Sequence, residues 1–244
     1  MAKKNRIGAV IDCACVIHST LYSWTYVERL TNMIQRNMPR EIRMHVYTEH
    51  DRSVPPQYVK HCLEDWKGIS GPKRSWWYKM QLFNPAFHAG PLLYFDLDCV
   101  IVKNLSWVLD SSPEYFWALK DFRVLQNPNI QSLNSSVMWW DTTEFADVWE
   151  KFSNENITET IKKYPGDQDY LTQHIAYNRR RFFDARHFES YRWQVMDGGY
   201  DFARRRHKSP GSGSKISDDT SVIVFHGKPK PDQVKDPVIQ QLWI

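Results

Sequence analysis

The pattern of apolar and polar positions predicts strands and helices that alternate in the first half of the chain. A short apolar run at residues 7–11 is typical of a buried strand, and apolar side chains at helical spacing over 22–34 predict a helix. A second strand is predicted at 43–48, ahead of a polar loop. Because a strand, a helix and a strand in succession form a βαβ unit, this order predicts an α/β fold with a parallel sheet.

Later apolar runs predict the remaining elements in the same way. They indicate an amphipathic helix at 76–83, strands at 91–95, 115–119, 136–140 and 221–225, and helices at 143–152 and 167–178. Residues 197–220 are rich in glycine, serine and charge, and we expect a flexible loop there. The chain has no internal repeat and no stretch apolar enough for a transmembrane segment, so we expect a single domain over 1–244.

The composition favours a globular protein of the cytoplasm. Hydrophobic residues make up 42% of the chain, which is enough apolar material to exclude a disordered protein. The N-terminal sequence lacks the long apolar core and the small-residue cleavage site of a signal peptide. The 4 cysteines are too few for a disulfide framework, so we expect buried thiols and a cytoplasmic location.

The positive charges are clustered, although the net charge of +4 is modest. Basic runs occupy 179–181 and 204–208, and they suit either a solvated surface or an anionic partner such as a nucleotide diphosphate, an acidic glycan or a membrane surface. A nucleic-acid-binding module is an alternative from another class. It leaves the two acidic residues after strand 91–95 without a role, so we expect no specific nucleic-acid binding.

Two carboxylates follow the most apolar predicted strand. Residues 91–95 lead directly into Asp96 and Asp98, and four further apolar residues follow them. Carboxylates in such a setting are costly without partners, and strand alternation predicts that both point to the same side. Their oxygen atoms suit Mg²⁺ or Mn²⁺, and His226 as a third ligand would favour Mn²⁺. The alternative is a pair of exposed loop aspartates.

The segment YFDLDCVIV around these carboxylates resembles the D-x-D strand end of GT-A glycosyltransferases. The resemblance is to the glycogenin-like and bacterial lipopolysaccharide galactosyl- and glucosyltransferase superfamily, in an uncharacterised bacterial or phage branch. Four further segments occur in the order of that family: WWYKMQLF before the D-x-D segment, and LNSSVMWW, PGDQDYL and VFHGKPKP after it. Each motif is short, so their order from residue 75 to 231 carries the specificity. The resemblance implies a GT-A type, Rossmann-like and mostly parallel central sheet flanked by helices.

The resemblance also implies roles for particular side chains. It assigns metal ligands to Asp96, Asp98 and His226, donor contacts to Lys79, Asp96, Asn134, Gly227 and Lys228, and catalytic contacts with the transferred sugar to Asp167 and Gln168. The implied cofactor is Mn²⁺ or Mg²⁺. The spacing from the histidine to the lysine is shorter than in the family, so either Lys228 or Lys230 contacts phosphate.

The implied activity is metal-dependent transfer of a hexose from a nucleotide-sugar donor, expected to be a UDP-sugar. The acceptor, whether a glycan, a lipid-linked sugar or a protein, is not indicated. Negative charge grows on the leaving phosphate, and a divalent cation and a lysine stabilise it. A retaining outcome is expected, in which the departing phosphate accepts the proton. An inverting enzyme would need a base, for which Asp167 or Asp169 is the candidate.

The D-x-D segment also fits a second class of enzyme. A haloacid dehalogenase-type phosphatase would use Asp96 as nucleophile and Asp98 as acid, but that family usually has its motif on the first strand, and here at least two predicted strands come earlier. Asp167 is also a suitable helix N-cap, and Asn134 a suitable turn residue. The aromatic residues could stack on a sugar or pack in the core: Trp76, Trp77, Trp139 and Trp140.

Overall fold

The computed structural model of the chain describes residues 9–66, 69 and 74–244. Its strands in chain order are β1 Ile11–Val16, β2 Ile42–Thr48, β3 Val59–Cys62, β4 Pro91–Phe95, β5 Cys99–Ile101, β6 Phe116–Lys120, β7 Leu133–Asp141, β8 Arg180–Phe182, β9 Phe188–Ser190, β10 Tyr200–Asp201, β11 Arg206–His207 and β12 Val222–Val224. Its α-helices are α1 Trp24–Asn37, α2 Ala146–Asn154, α3 Ile157–Lys163, α4 Asp167–His174 and α5 Pro237–Leu242. Short 3₁₀ segments lie at Ser75–Phe83, Ser106–Asp110, Phe122–Leu125, Tyr177–Arg179, Ala185–His187 and Pro231–Gln233, and a π turn lies at Tyr191–Val195.

A seven-stranded sheet in the order β3-β2-β1-β4-β7-β6-β8 forms the centre of the molecule. Neighbouring strands run parallel except β7, which is antiparallel to both β4 and β6. The chain leaves β1 on one side to build β2 and β3 and then returns to β4 on the other side. Such a reversal of strand order opens a crevice at the carboxyl ends of the two strands, where α/β proteins bind ligands. The α/β prediction with a mostly parallel sheet is confirmed.

Strand alternation divides the core between the two faces of this sheet. Along β4, Leu93 and Phe95 face the layer that contains α1, while Leu92 and Tyr94 face the opposite layer with Trp140. Helix α1 presents its buried stripe to the first layer, through Tyr26, Val27, Leu30, Met33 and Ile34. This i, i+3, i+4 spacing is the one from which the helix was predicted.

A second sheet in the order β5-β12-β9 is built directly beside the end of β4. Strand β12 runs antiparallel to β5 and parallel to β9. The Phe225 amide, just after β12, donates to the Asp98 carbonyl at 3.3 Å. This pairing brings the C-terminal motif at His226 next to the D-x-D segment, although the two are far apart in sequence.

Several predicted elements differ in kind or length from those in the structure. The predicted amphipathic helix at 76–83 is a 3₁₀ segment in which Trp77 and the following residues to Phe83 are all buried. The buried Lys79 and Gln81 side chains both have partners. Lys79 forms an ion pair with Asp96, and Gln81 exchanges hydrogen bonds of 2.8 and 2.7 Å with the Glu64 backbone. The amphipathic pattern predicted that these polar side chains would face solvent. They are buried instead, because other segments supply their hydrogen-bond and ion-pair partners.

The remaining differences lie at element ends and in loops. The first strand begins at Ile11 instead of ending there, and residues 7 and 8 lie outside the described residues. The helix predicted at 167–178 ends at His174, and the short elements β3 and α3 were not predicted. Within 197–220, β10 and β11 form a small antiparallel hairpin.

The cysteines and the helices can be compared with the expectations of buried thiols and of no transmembrane segment. Cys13, Cys15 and Cys99 are free and buried, as expected, whereas Cys62 is free and exposed. Within the described ranges, no helix is both long and apolar enough to cross a membrane.

The buried aromatic layer gives a first prediction. Trp140 is fully buried and stacks on Phe83 with ring centroids 4.8 Å apart. Trp140→Ala should lower the free energy of unfolding by about 3–5 kcal/mol because it leaves a large cavity. Tyr177→Ala, at a ring that is 75% exposed, should change it by less than about 0.5 kcal/mol. Urea unfolding followed by tryptophan fluorescence and far-UV circular dichroism measures both, and equal stability of the two variants would contradict the layer assignment.

Candidate active site

A cleft with two adjoining lobes lies at the carboxyl ends of β1 and β4. The lobes have volumes of about 380 and 350 Å³. Six residues line both lobes: Trp76, Lys79, Asp96, Asp98, Gly227 and Lys230. Lys228 lines the first lobe, while Asn134, Asp167, Gln168 and His226 line the second. The fold therefore brings together in one cleft every residue to which the sequence motifs assigned a metal, donor or catalytic role.

The two carboxylates of the D-x-D segment reach the cleft through a turn. The Asp96 amide donates to the Ser136 carbonyl at 2.8 Å, and the Cys99 amide donates back to the Asp96 carbonyl at 3.1 Å. The chain thus leaves the central sheet at Asp96 and enters the second sheet at Cys99. The expectation of a shared direction holds, because both side chains line the cleft, but strand alternation is not its cause.

Asp96 is held by a lysine and a tyrosine. Its Oδ1 lies 2.8 Å from Lys79 Nζ and accepts a 2.6 Å hydrogen bond from the Tyr94 hydroxyl. Burial raises the pKa of Asp96, but the ammonium of Lys79 and these hydrogen bonds outweigh it, so the net shift is downward. Asp96 is therefore a stable carboxylate.

Asp98 has a different electrostatic environment. Its Oδ2 accepts a 2.9 Å hydrogen bond from the Tyr22 hydroxyl and another from the Lys230 ammonium. Burial raises the pKa of Asp98, Lys230 opposes the rise, and the neighbouring charge of Asp96 adds to it, so the net shift is upward. A further positive charge close to Asp96 and Asp98 would reduce the repulsion between the two carboxylates.

Asp167 and Lys79 extend this charged cluster into the second lobe. Asp167 is 3% exposed in the first turn of α4, and its Oδ2 lies 3.8 Å from Lys79 Nζ. No described residue hydrogen-bonds that oxygen, although it is buried. Burial raises the pKa of Asp167 above its usual range despite Lys79. A buried acceptor without a partner at the wall of a cleft is typical of a ligand contact.

The helix-cap interpretation of Asp167 does not hold, because the N-cap of α4 is Gly166. The turn interpretation of Asn134 has more support: its Oδ1 accepts a 3.0 Å hydrogen bond from the Ser136 amide. That bond leaves the Asn134 amide nitrogen as the group able to contact a ligand. Gln168 is half-buried beside Asp167 in the same lobe.

His226 lies in an aromatic setting at the far wall of the second lobe. Its ring stacks on Phe122 at 5.4 Å and meets Trp193 edge-on at 4.6 Å, and its Nε2 lies 2.6 Å from Ser190 Oγ. Burial first, and then the charges of Arg192 and Lys230, lower the pKa of His226 to about 4. The imidazole is therefore neutral at physiological pH, which a metal ligand requires.

The predicted three-ligand metal site is not assembled as expected. Among the described residues, the ligand atoms of Asp96, Asp98 and His226 do not all lie within 4.8 Å of one another. Ser190 engages the imidazole and Lys230 engages Asp98, so each ligand has an alternative partner. The carboxylates of Asp96 and Asp98 offer oxygen ligands that suit a hard divalent cation, which would compete with Lys230 for Asp98. Binding of one ion by Asp96, Asp98 and His226 together would need side-chain shifts.

The two lysines of the C-terminal motif differ in position. Lys230 points into the cleft at Asp98 and also donates to the Phe225 carbonyl at 3.2 Å, whereas Lys228 is exposed at the rim of the first lobe. Gly227 between the histidine and these lysines has φ +78°, a conformation that side chains with a Cβ rarely adopt. The positive φ of Gly227 therefore turns the chain between His226 and the two lysines.

Four described residues that line the cleft or contact its side chains were not assigned a role from the sequence. Tyr22, Tyr94 and Ser190 supply hydroxyl groups to Asp98, Asp96 and His226. For Trp76 the sequence left open a sugar contact or a core position; it is 42% exposed and lines both lobes, whereas Trp77, Trp139 and Trp140 are buried. The adjacent tryptophans of WWYKMQLF give no sequence signal as to which one faces the cleft.

Solved structures of glycosyltransferases resemble this chain across nearly its whole length. The galactosyltransferase LgtC, in complex with donor and acceptor sugar analogs, has a TM-score of 0.64 and 14% identity over 95% of this chain and 94% of its own. GlyE of Streptococcus pneumoniae TIGR4 has a TM-score of 0.61 and 12% identity over 96% of this chain and 60% of its own. Mouse xyloside xylosyltransferase 1 has a TM-score of 0.52 and 10% identity over 90% of this chain and 100% of its own.

No protein-family model and no curated protein sequence matches the chain. Likeness at this low identity concerns the fold. The chain therefore has the fold of GT-A glycosyltransferases, as the sequence motifs implied.

The buried imidazole of His226 predicts a pH dependence of stability. Its pKa is about 4 in the folded protein, below the ~6.5 of an unfolded histidine, so acid favours the unfolded state. The free energy of unfolding should fall as pH drops from about 6.5 to 4, and the contribution of His226 to this fall is at most about 3 kcal/mol. His226→Gln should remove that part of the slope. Urea unfolding at several pH values, with chelator present, tests this, and identical slopes for parent and variant would contradict it.

Proposed function

We propose that this protein is a metal-dependent glycosyltransferase that moves a hexose from a UDP-sugar to an acceptor. The observation that carries the proposal is the buried charged cluster of Lys79, Asp96, Asp98 and Asp167 at the crevice between β1 and β4. Such a cluster is costly in a fold unless it serves a ligand. The fold likeness to glycosyltransferases supports the same activity.

The first lobe suits the nucleotide part of the donor. It combines apolar and aromatic walls, including Tyr22 and Trp76, with the cationic side chains of Lys228 and Lys230. An aromatic face stacks on a nucleobase, and lysines donate charge-assisted hydrogen bonds to a diphosphate. Asp96 and Asp98 would hold Mn²⁺ or Mg²⁺ at the boundary of the lobes, where the ion supplies Lewis-acid stabilisation of the leaving phosphate.

Lys230 has a particular role in this proposal. In the described structure its ammonium neutralises Asp98. A diphosphate in the first lobe offers the same ammonium a second anionic partner, and a cation at Asp98 frees it to turn there. The lysine would then stabilise the charge that develops on the departing phosphate.

The second lobe suits the sugar that is transferred. Asp167 Oδ2 is a buried acceptor with no hydrogen-bond partner among the described residues, and Gln168 lies beside it in the same lobe. Sugar hydroxyl groups would donate to Asp167 and exchange hydrogen bonds with Gln168 and Asn134. These contacts fix the anomeric carbon relative to the phosphate, which is how binding energy lowers a transfer barrier.

The limited access to Asp167 supports the proposal that the transfer is retaining. Its carboxyl group is 3% exposed and lies 3.8 Å from Lys79 Nζ, so it suits orienting a sugar better than taking a proton from a bulky acceptor. The departing phosphate would accept that proton instead. Asp169, half-buried at the wall of the second lobe, is the alternative base for an inverting transfer.

No observation favours the phosphatase alternative. In that family the nucleophile, here Asp96, would usually follow the first strand. Its strand, β4, is the fourth along the chain and not the first.

Asp98→Asn tests the cation site. The substitution keeps the shape of the side chain but removes its charge, so Mn²⁺-supported hydrolysis of UDP-glucose or UDP-galactose should fall about 100-fold or more. Asp110→Asn, at an exposed aspartate outside the cleft, is the matched control and should keep full turnover. Release of UDP is the measurement. Full turnover by Asp98→Asn with an unchanged unfolding midpoint would refute the metal role.

Asp167→Asn tests the sugar-orienting role separately. It should lower kcat about 100-fold while leaving the affinity for UDP and Mn²⁺ within about twofold of the parent, because the lost contact acts on the sugar. Steady-state hydrolysis and calorimetric binding of UDP with Mn²⁺ give the two values. A loss of UDP affinity as large as the loss of kcat would place the residue at the nucleotide instead.

A further inference from the structure

A second polar cluster lies on one face of the central sheet and includes residues at the amino-terminal ends of β1 and β4, away from the cleft. It consists of Asp12 near the start of β1, His45 on β2, His61 on β3 and His88 in the loop before β4. Val16, which lines the cleft, is four residues further along β1 than Asp12, a separation of about 13 Å in a strand. The cluster is thus separate from the Asp96 and Asp98 site.

Strand register explains why these residues meet. Asp12 and Ala14 share one face of β1, and His45 pairs with Ala14 across the parallel ladder. Tyr47 follows on the same face of β2 and pairs with His61 on β3. The loop before β4 completes the group because the His88 ring lies 4.9 Å from the His45 ring, edge-on. Adjacent strands and one loop therefore converge on one spot.

The ring nitrogens are arranged around a common centre. His45 Nε2 lies 3.0 Å from Asp12 Oδ1, and one ligand atom from each of Asp12, His45 and His88 lies within 4.8 Å of the others. Donor atoms around a tetrahedral zinc ion are about 3.3 Å apart, so small side-chain shifts suffice to bind one. Oxygen and imidazole donors together suit Zn²⁺ better than Mg²⁺.

His45 and His88 each have one ring nitrogen that faces away from Asp12 and contacts another group. His45 Nδ1 lies 2.8 Å from His61 Nε2, and His88 Nε2 lies 3.2 Å from the Pro91 carbonyl. Metal-binding histidines commonly donate their other N–H to such an acceptor, which fixes the ring and its tautomer. Without an ion, His45 Nε2 donates its proton to Asp12 Oδ1. When a metal binds, that proton moves to Nδ1 facing His61, so that His45 Nε2 and His88 Nδ1 would offer their lone pairs to the ion.

We propose that Asp12, His45 and His88 bind one Zn²⁺ ion, with His61 orienting His45. Three protein ligands leave the fourth tetrahedral position for water. Arg43 Nη1 lies 3.5 Å from Asp12 Oδ1, but its side chain is 55% exposed and can turn into solvent when the ion binds. The ion would tie β1, β2 and the loop before β4 together.

Zinc titration of the chelator-treated full chain tests the site. Calorimetry should give one Zn²⁺ per chain, bound more tightly than Mg²⁺. His88→Ala and Asp12→Asn, at half-buried positions that leave the core intact, should each weaken Zn²⁺ binding at least about tenfold. His50→Ala, at an exposed histidine outside the cluster, is the matched control and should bind like the parent.

Asp98→Asn separates this site from the cleft, because it should keep the Zn²⁺ affinity while impairing sugar transfer. Zinc should also raise the melting temperature of the parent and of His50→Ala, but not of His88→Ala. The proposal is overturned if His88→Ala and Asp12→Asn, both folded by circular dichroism, bind Zn²⁺ as tightly as the parent. Loss of the binding in Asp98→Asn, or no binding by the parent at micromolar zinc, would also overturn it.

Discussion

The buried ammonium group of Lys79 is the interaction on which the cleft depends. It lies between the carboxylates of Asp96 and Asp167, 2.8 and 3.8 Å away, and it is 9% exposed. Burial lowers the pKa of Lys79, but the two carboxylates raise it more, so the lysine stays charged. Without this charge, two buried carboxylates would face each other at a large desolvation cost. The lysine therefore allows the fold to keep acidic groups ready for a ligand.

The topology of the sheet supplies the members of this cluster from distant parts of the chain. The reversal of strand order between β1 and β4 opens the crevice, and β7 and α4 bring Asn134 and Asp167 to its other wall. The small β5-β12-β9 sheet then carries the C-terminal motif to the same place. The lobes share their charged centre and differ at their ends, where Tyr22 and Lys228 line the first lobe and Asn134, Asp167 and Gln168 line the second.

The sequence predicted those parts of the fold that depend on local pattern. The strand at 91–95 and the face of α1 follow from periodicity, and the order of short motifs predicted a shared site. Hydrogen bonds between distant segments were not predictable: Tyr22 and Asp98 are 76 residues apart, and Lys230 and Asp98 are 132 apart. The same limit applies to His45, which needs its strand register to meet Asp12 and His88. The prediction of an amphipathic helix at 76–83 was wrong, because Ser75–Phe83 is a 3₁₀ segment whose polar side chains are buried against partners from distant segments.

The central claim is that the cleft binds a nucleotide-sugar through a divalent cation. Calorimetric titration of the chelator-treated protein with UDP-glucose and UDP-galactose, with and without Mn²⁺, tests it most directly. We expect at least one UDP-sugar to bind at one molecule per chain in the presence of Mn²⁺, and much more weakly in its absence. Failure of every UDP-sugar and of UDP itself to bind with Mn²⁺ present, in a folded protein, would contradict it.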